Sequence, residues 1–295
     1  MLWRRNPIRC EVSPGVVRPG DTITVRVVAD GPIDRVDDAR IELGYTNFYS
    51  YRWAGRADSA AGAVSDTLSL LGEVGTNYGG ERNTSDWVSA LSVPIPVPEG
   101  LFRAFDQEIR IPSWSPASSP ALARWECHAR LIRSRRNMDA HCVFQVVAGK
   151  ADQPPPAVER MIGDASEIEI AVDSAVVRAG EPVTGLLTVI PTADRPDADI
   201  AVYLERKRLS HPLERNPGGG ESQTAPIVKL GMRIPMAART PVRIPFEVPV
   251  PADAAPSAAA VHSSLEWSLI ARIYYKGFST MPERVRRRLV VVNAD

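Results

Sequence analysis

Cysteine is scarce in this sequence of 295 residues, and the three that occur, Cys10, Cys127 and Cys142, show no C-x-x-C spacing. An odd, sparse set argues against a disulfide framework and favours a reducing compartment. Long apolar runs are also lacking: none approaches the roughly 20 residues of a membrane-spanning helix. No apolar segment of signal-peptide length follows the N-terminus. We therefore expect a cytoplasmic protein with three free thiols and no membrane span.

An excess of charge of either sign is also missing, because Lys plus Arg and Asp plus Glu each number 35. A balanced chain has no overall attraction for nucleic acid, so no nucleic-acid partner is expected. The common catalytic motifs are absent as well, among them G-x-S-x-G, H-E-x-x-H and the phosphate-binding glycine loops. The sequence therefore predicts a protein that is not an enzyme and carries no cofactor.

Proline, by contrast, is frequent: 26 residues are scattered along the chain and leave little room for long helices. Between them lie short runs rich in Val, Ile, Thr and aromatic residues, and residues 22–27 alternate polar and apolar as a half-buried strand requires. In the first half we predict strands near 7–12, 21–29, 39–52, 87–93, 105–112, 122–132 and 141–147. In the second half we predict strands near 166–172, 183–190, 198–209, 226–235, 241–248, 264–275 and 284–293.

The two halves also resemble each other in sequence. The turn motif V-V-R-P-G-D at 16–21 corresponds to V-V-R-A-G-E at 176–181. The pattern W-x-x-x-A-R-[LI] occurs at 125–131 and again at 267–273. A tryptophan at the same place in both repeats favours a role in the core. We therefore expect an all-β protein of two tandem seven-stranded β-sandwich domains, which an internal repeat explains best.

The predicted domains are residues 1–150 and 164–295, joined by a proline-rich linker at 151–163. One segment, residues 54–86, is rich in Gly, Ala and Ser and is longer than an ordinary connection. A loop of this length in a compact domain is usually functional or disordered. Residues 63–73 within it are a candidate for a short helix.

The duplicated R-[PA]-G-[DE] turn, the proline-ended strands and the duplicated tryptophan strand together resemble the arrestin-like superfamily. Within it, the bacterial sporulation-control arrestin-like proteins are the most similar in pattern. The resemblance implies two immunoglobulin-like sandwiches that serve as an intracellular scaffold or adaptor for protein partners in regulation or signalling. The alternative is a carbohydrate- or surface-binding module of tandem immunoglobulin-like domains, against which the unpaired cysteines and the missing signal segment count. Neither the partner nor the oligomeric state follows from the sequence.

Two adjacent pairs, Cys127-His128 and His141-Cys142, lie on strands that we predict to be neighbours. An antiparallel pairing would place Cys127 diagonally across from Cys142 and turn both histidines to the opposite face. Thiolates and imidazoles on different faces do not form a tetrahedral site, so no metal ligand is predicted.

The candidate partner-binding residues are aromatic and basic. The aromatic ones lie where a long strand leads into the 54–86 segment, and the basic ones lie at a hairpin tip, where a solvated turn is the alternative explanation. They are Tyr49, Tyr51, Trp53, Arg133, Arg135 and Arg136. We expect these arginines to add charge complementarity to a partner that adds a strand at a sheet edge.

Overall fold

The computed structural model describes residues 7–52, 81–134, 136–157, 161–162, 166–211, 220–277 and 282–295. Within these ranges the chain forms nineteen β-strands, two single 3₁₀ turns at Pro98–Gly100 and Lys150–Asp152, and no α-helix. The predicted all-β class is therefore confirmed. None of the helical segments in these ranges has the length or apolar character needed to cross a membrane.

The chain divides into two compact units. The first contains residues 1–147 together with 209–220 and 259–264, and the second contains 148–208, 221–258 and 265–295. Each unit is a pair of packed sheets whose apolar faces form its core.

Eight strands belong to the first half of the chain: β1 (Ile8–Ser13), β2 (Val16–Val17), β3 (Thr22–Ile33), β4 (Asp38–Arg52), β5 (Glu81–Pro94), β6 (Phe102–Arg110), β7 (Ala123–Ile132) and β8 (Met138–Val146). They form a three-stranded sheet in the order β1-β3-β6 and a five-stranded sheet in the order β2-β8-β7-β4-β5. Strand β3 shows why these segments form strands with one buried face. Its residues Ile23, Val25 and Val27 are fully buried, whereas the residues between them face solvent.

Eleven strands belong to the second half: β9 (Met161–Ile162), β10 (Ser166–Val172), β11 (Val176–Arg178), β12 (Pro182–Pro191), β13 (Arg195–Ser210), β14 (Gly220–Thr224), β15 (Val228–Met236), β16 (Val242–Pro249), β17 (Ala258–Ala259), β18 (Ser263–Tyr275) and β19 (Glu283–Val292). One sheet has the order β16-β12-β10-β9. The other has the order β11-β19-β18-β13-β14, with β15 also paired to β13 and β17 to β18.

The internal repeat is visible in the order of the strands. The run β2-β8-β7-β4 corresponds to β11-β19-β18-β13, and in both runs the short first strand pairs in parallel with its neighbour. Trp125 lies on β7 and Trp267 on the corresponding β18. Their indole N–H groups donate to the carbonyl oxygens of Pro116 and Ala255, at 2.8 and 2.9 Å. The two tryptophans therefore occupy equivalent positions.

The repeated turn motif has the same geometry in both units. The backbone N–H of Arg18 donates to Asp21 Oδ2 at 2.7 Å, and that of Arg178 donates to Glu181 Oε2 at 3.1 Å. The glycine before each acid, Gly20 or Gly180, has a φ of 92° or 88°, a conformation that side chains with a Cβ rarely adopt. This explains why the sequence keeps glycine and an acid together at both places.

Each strand predicted from the sequence has a counterpart, but the structure adds five short strands, β2, β9, β11, β14 and β17, and several boundaries differ, most of all at β5. Residues 81–86, which we assigned to a long loop, form the first part of β5, paired with β4. Their polar composition (E-R-N-T-S-D) hides the strand, because an edge strand need not alternate strictly. The short-helix prediction at 63–73 falls outside the described residues.

Candidate functional site

Strand β5 forms one edge of the five-stranded sheet and is hydrogen-bonded, among the described strands, to β4 alone. From Glu81 to Ser89 it pairs one for one with Arg52 to Gly44. One extra residue, Ala90, then interrupts the register before Leu91 pairs with Leu43. The outer side of β5 therefore presents a long row of backbone N–H and C=O groups, the usual template for an added strand.

The other described edge strands carry features that discourage such pairing. Some are only two to five residues long (β2, β9, β11, β14, β17), and β1 has six residues, two of them charged. The longer edges contain prolines or several charged residues: Pro245 and Pro249 in β16, Lys229, Arg233 and Pro235 in β15, and Arg103, Asp106, Glu108 and Arg110 in β6. In contrast, residues 87–93 of β5 carry no charge. Glu81, Arg82 and Asp86 precede this segment and Pro94 follows it, so β5 differs from the other edges in its length and in one uncharged stretch of seven residues.

Beside this edge, Trp87 of β5 lies across the sheet. Its ring stacks on His128 of β7 with the ring centroids 4.2 Å apart and the planes 12° from parallel. The strand between them, β4, has Gly44 at the crossing point, where a Cβ would lie 2.7 Å from the indole. An aromatic platform thus extends from the β5 edge towards the middle of the sheet.

A polar cluster continues from this platform on the same face. Glu126 is almost completely buried, yet it accepts hydrogen bonds from Arg124 Nε at 2.6 Å and from His128 Nε2 at 2.9 Å. Burial raises the pKa of Glu126, but the hydrogen bonds from His128 and Arg124 outweigh that cost and hold its pKa below the ordinary value. The carboxylate therefore stays ionised and fixes the orientation of the His128 ring.

Of the aromatic residues predicted to bind a partner, the structure places Tyr49 in the interior. Only 4% of its surface is exposed, and its hydroxyl donates to Asp86 Oδ2 at 2.5 Å. Tyr51 lies near the end of β4, opposite Arg82. Trp53 and Arg135 lie outside the described residues.

The predicted arginines lie far from Tyr49. Arg133 and the exposed Arg136 belong to the turn between β7 and β8. This turn follows Ile132, which pairs with Asp38 at the start of β4. Tyr49 lies eleven positions after Asp38 along β4, which corresponds to about 36 Å. The aromatic and basic groups therefore lie at opposite ends of one sheet, and β5 spans the distance between them.

The three cysteines, distant in sequence, come together. Cys127 and Cys142 lie directly opposite each other on β7 and β8, not diagonally as we expected. Cys10 of β1, in the other sheet, places its Sγ 2.9 Å from that of Cys142. All three Sγ atoms lie within 4.8 Å of one another. His128 and His141 pair on the opposite face of the sheet, as predicted.

The thiols of this cluster affect one another. Hydrogen bonds from Cys127 and Cys142 lower the pKa of Cys10 to about 4, while the hydrogen bond with Cys10 raises the pKa of Cys142 to about 12. Hydrogen bonds to the other two sulfur atoms, together with burial, also raise the pKa of Cys127. These three residues are the group of described side chains with the composition to hold a soft metal ion.

The sequence analysis did not identify two features of the candidate site, the β5 edge and the position of Cys10. Trp87 was within a predicted strand, but the absence of charge from 87 to 93 is the signal that could have marked the edge. Cys10 gave no signal, because nothing in the sequence places β1 beside β7 and β8.

No model of a known protein family matches this sequence, and no curated protein resembles it at a significant level.

Proposed function

We propose that this protein is a non-catalytic scaffold that binds an extended segment of a partner protein as an added strand along β5. The observation that carries the proposal is the edge itself: a strand of fourteen residues that pairs, among the described strands, with β4 alone and carries no charge from Trp87 to Val93. Main-chain hydrogen bonds would provide the affinity of such a complex, and side chains on alternating faces would provide its specificity.

The surroundings of β5 indicate the chemistry of the partner. From residue 87 onwards, the exposed side chains of β5 are Ser89, Leu91, Ser92 and Pro94, which are small or apolar and suit a partner strand of low charge. The exposed Asp86 precedes this segment. Trp87 on His128 offers a flat aromatic surface beside it. At the Pro94 end, the turn that contains Arg133 and Arg136 favours a partner with acidic residues beyond the added strand.

The repeated strand order of the two units supports the wider inference of an arrestin-like adaptor, since adaptors of that type are expected to consist of two such sandwiches. Fold alone does not establish function, so the edge and not the resemblance carries the proposal.

The test places a lysine on the edge, because a charged side chain there disfavours strand addition. The double variant S85K/L91K is compared with wild type and with A104K, which adds a lysine to the exposed face of the already charged edge β6. Proteins captured from the native cell extract by wild type and by A104K should be lost from the double variant.

A captured partner then allows a direct test by hydrogen exchange. Binding should slow exchange of the backbone amides within Glu81–Pro94 and leave those of β6 unchanged. If the double variant binds with wild-type affinity, or if protection falls on other strands, the proposal is wrong.

A further inference from the structure

All three cysteines of the chain converge on one point between the two sheets of the first unit. Cys10 and Cys142 are separated by 132 residues, yet their sulfur atoms lie 2.9 Å apart, and Cys127 lies directly beside Cys142 on the neighbouring strand. Apolar packing does not require three sulfur atoms within 4.8 Å of one another, since any small hydrophobic residue would fill the same space.

The arrangement has the dimensions of a thiolate metal site. With metal–sulfur distances near 2.3 Å, three sulfur ligands lie about 4 Å from one another. The three Sγ atoms already lie within 4.8 Å of one another, and the Cys10–Cys142 pair, at 2.9 Å, would have to move apart by about 1 Å. Side-chain rotation can supply this movement without a shift of the strands.

The ligand type and the surroundings select the class of ion. Thiolates prefer soft or borderline cations such as Zn²⁺ and Cu⁺ over Mg²⁺ or Ca²⁺. The surroundings are apolar: Cys10 pairs with the buried Val27, and the buried Ile8 and Phe144 lie two residues from Cys10 and Cys142 along their strands. Three thiolates with a monovalent cation carry a net charge of minus two, but with a divalent cation only minus one, which costs less to bury.

We propose that Cys10, Cys127 and Cys142 form a three-thiolate site for one divalent d¹⁰ cation, Zn²⁺ or its softer analogue Cd²⁺. No His, Asp or Glu of the described residues joins the group, and His128 and His141 face the other side of the sheet. Cys142 is partly exposed, so water can occupy the fourth position. The ion would tie β1 of one sheet to β7 and β8 of the other.

This site is independent of partner binding at β5 and is tested on the full chain without a partner. Metal-free protein, kept reduced with a phosphine and out of air, is titrated with Cd²⁺ and followed by thiolate-to-cadmium charge-transfer absorption. We expect one Cd²⁺ per chain, and a higher Tm with Zn²⁺ or Cd²⁺ but not with Mg²⁺, because an ion that binds only the folded state stabilises it.

The key variants are C10S and C142S, since both positions are partly exposed and serine is close in size. Each should retain the fold, as judged by circular dichroism, and lose at least tenfold in Cd²⁺ affinity. The matched control is H141A, an exposed position on the opposite face, which should bind Cd²⁺ as wild type does.

Three outcomes would overturn the proposal. One is a reduced protein with three titratable thiols that binds no Cd²⁺. Another is undiminished binding by folded C10S. The third is a Cys10–Cys142 disulfide, identified by peptide mapping in protein isolated with its thiols trapped at lysis, which would make the cluster a redox pair.

Discussion

The Trp87 ring occupies the space that a side chain at Gly44 would need. A Cβ on residue 44 would lie 2.7 Å from the Trp87 ring and closer still to the carbonyl oxygen of Val88. Glycine therefore allows the indole to cross β4 and reach His128. The aromatic platform beside the proposed binding edge depends on a residue that has no side chain of its own.

Substituting Gly44 by alanine should destabilise the first unit by roughly 1–3 kcal/mol, the usual cost of forcing extra atoms into a packed site. Urea unfolding measures the loss, and near-ultraviolet circular dichroism should report displacement of Trp87. The matched control is G31A, since a Cβ at Gly31 meets no atom within 4 Å. Equal stability of the two variants would show that Trp87 does not need the space.

Asn47, with 0% of its surface exposed, should be a second sensitive position. Its Nδ2 donates to the carbonyl oxygen of Leu122 at 2.9 Å and to Ser263 Oγ at 2.8 Å, and its Oδ1 accepts from the N–H of His262. N47A should cost roughly 1–3 kcal/mol for each buried group left without a partner. The loss is measured by thermal unfolding of N47A, with N137A, a substitution at an exposed turn position, as the control. A Tm equal to that of the control would contradict it.

The two equivalent tryptophans should respond alike to the loss of the indole N–H. W125F leaves the carbonyl oxygen of Pro116 without its donor, and W267F does the same to Ala255. Each variant should lose about 1–3 kcal/mol of unfolding free energy, measured in urea. W114F, at a position with 56% of its surface exposed, is the control and should change little. A large loss at only one of the two positions would mean that the repeat is not energetically equivalent.

The Glu181 turn should make stability depend on pH. The Lys150 ammonium, 2.6 Å away, and the N–H of Arg178 hold the pKa of Glu181 below its ordinary value. A lowered pKa stabilises the fold above the unfolded-state pKa of about 4.3, and the effect is lost as pH falls through the folded value. E181Q should therefore be less stable than wild type at pH 7 and equally stable near pH 2.

The same comparison at high salt serves as a control, because the ion pair is partly exposed and salt screens it. The stability difference at pH 7 should shrink there. A difference that is independent of both pH and salt would exclude the charge of Glu181 as its cause.

The features of the fold that could be predicted from the sequence are those that depend on residues close together in the chain. The strands, the repeated turn and the equivalence of Trp125 and Trp267 could be predicted. The alternation of polar and apolar residues and the residue types of turns are patterns of neighbouring positions in the sequence. The first residues of β5 were missed, since an edge strand has a single hydrogen-bonded neighbour and no strict alternation. The opposite faces of Cys127 and His128 followed from strand geometry alone.

By itself, the sequence determined the all-β character and the duplicated strand order, through local patterns that repeat in both halves. Only the tertiary structure decided that β5, with its uncharged segment 87–93, is an edge strand, that Tyr49 is buried, and that Arg133 lies at the far end of the same sheet. It also decided that Cys10 meets Cys127 and Cys142. The physical reason is that the pairing of two sheets joins residues more than a hundred positions apart, and no local periodicity encodes such a contact.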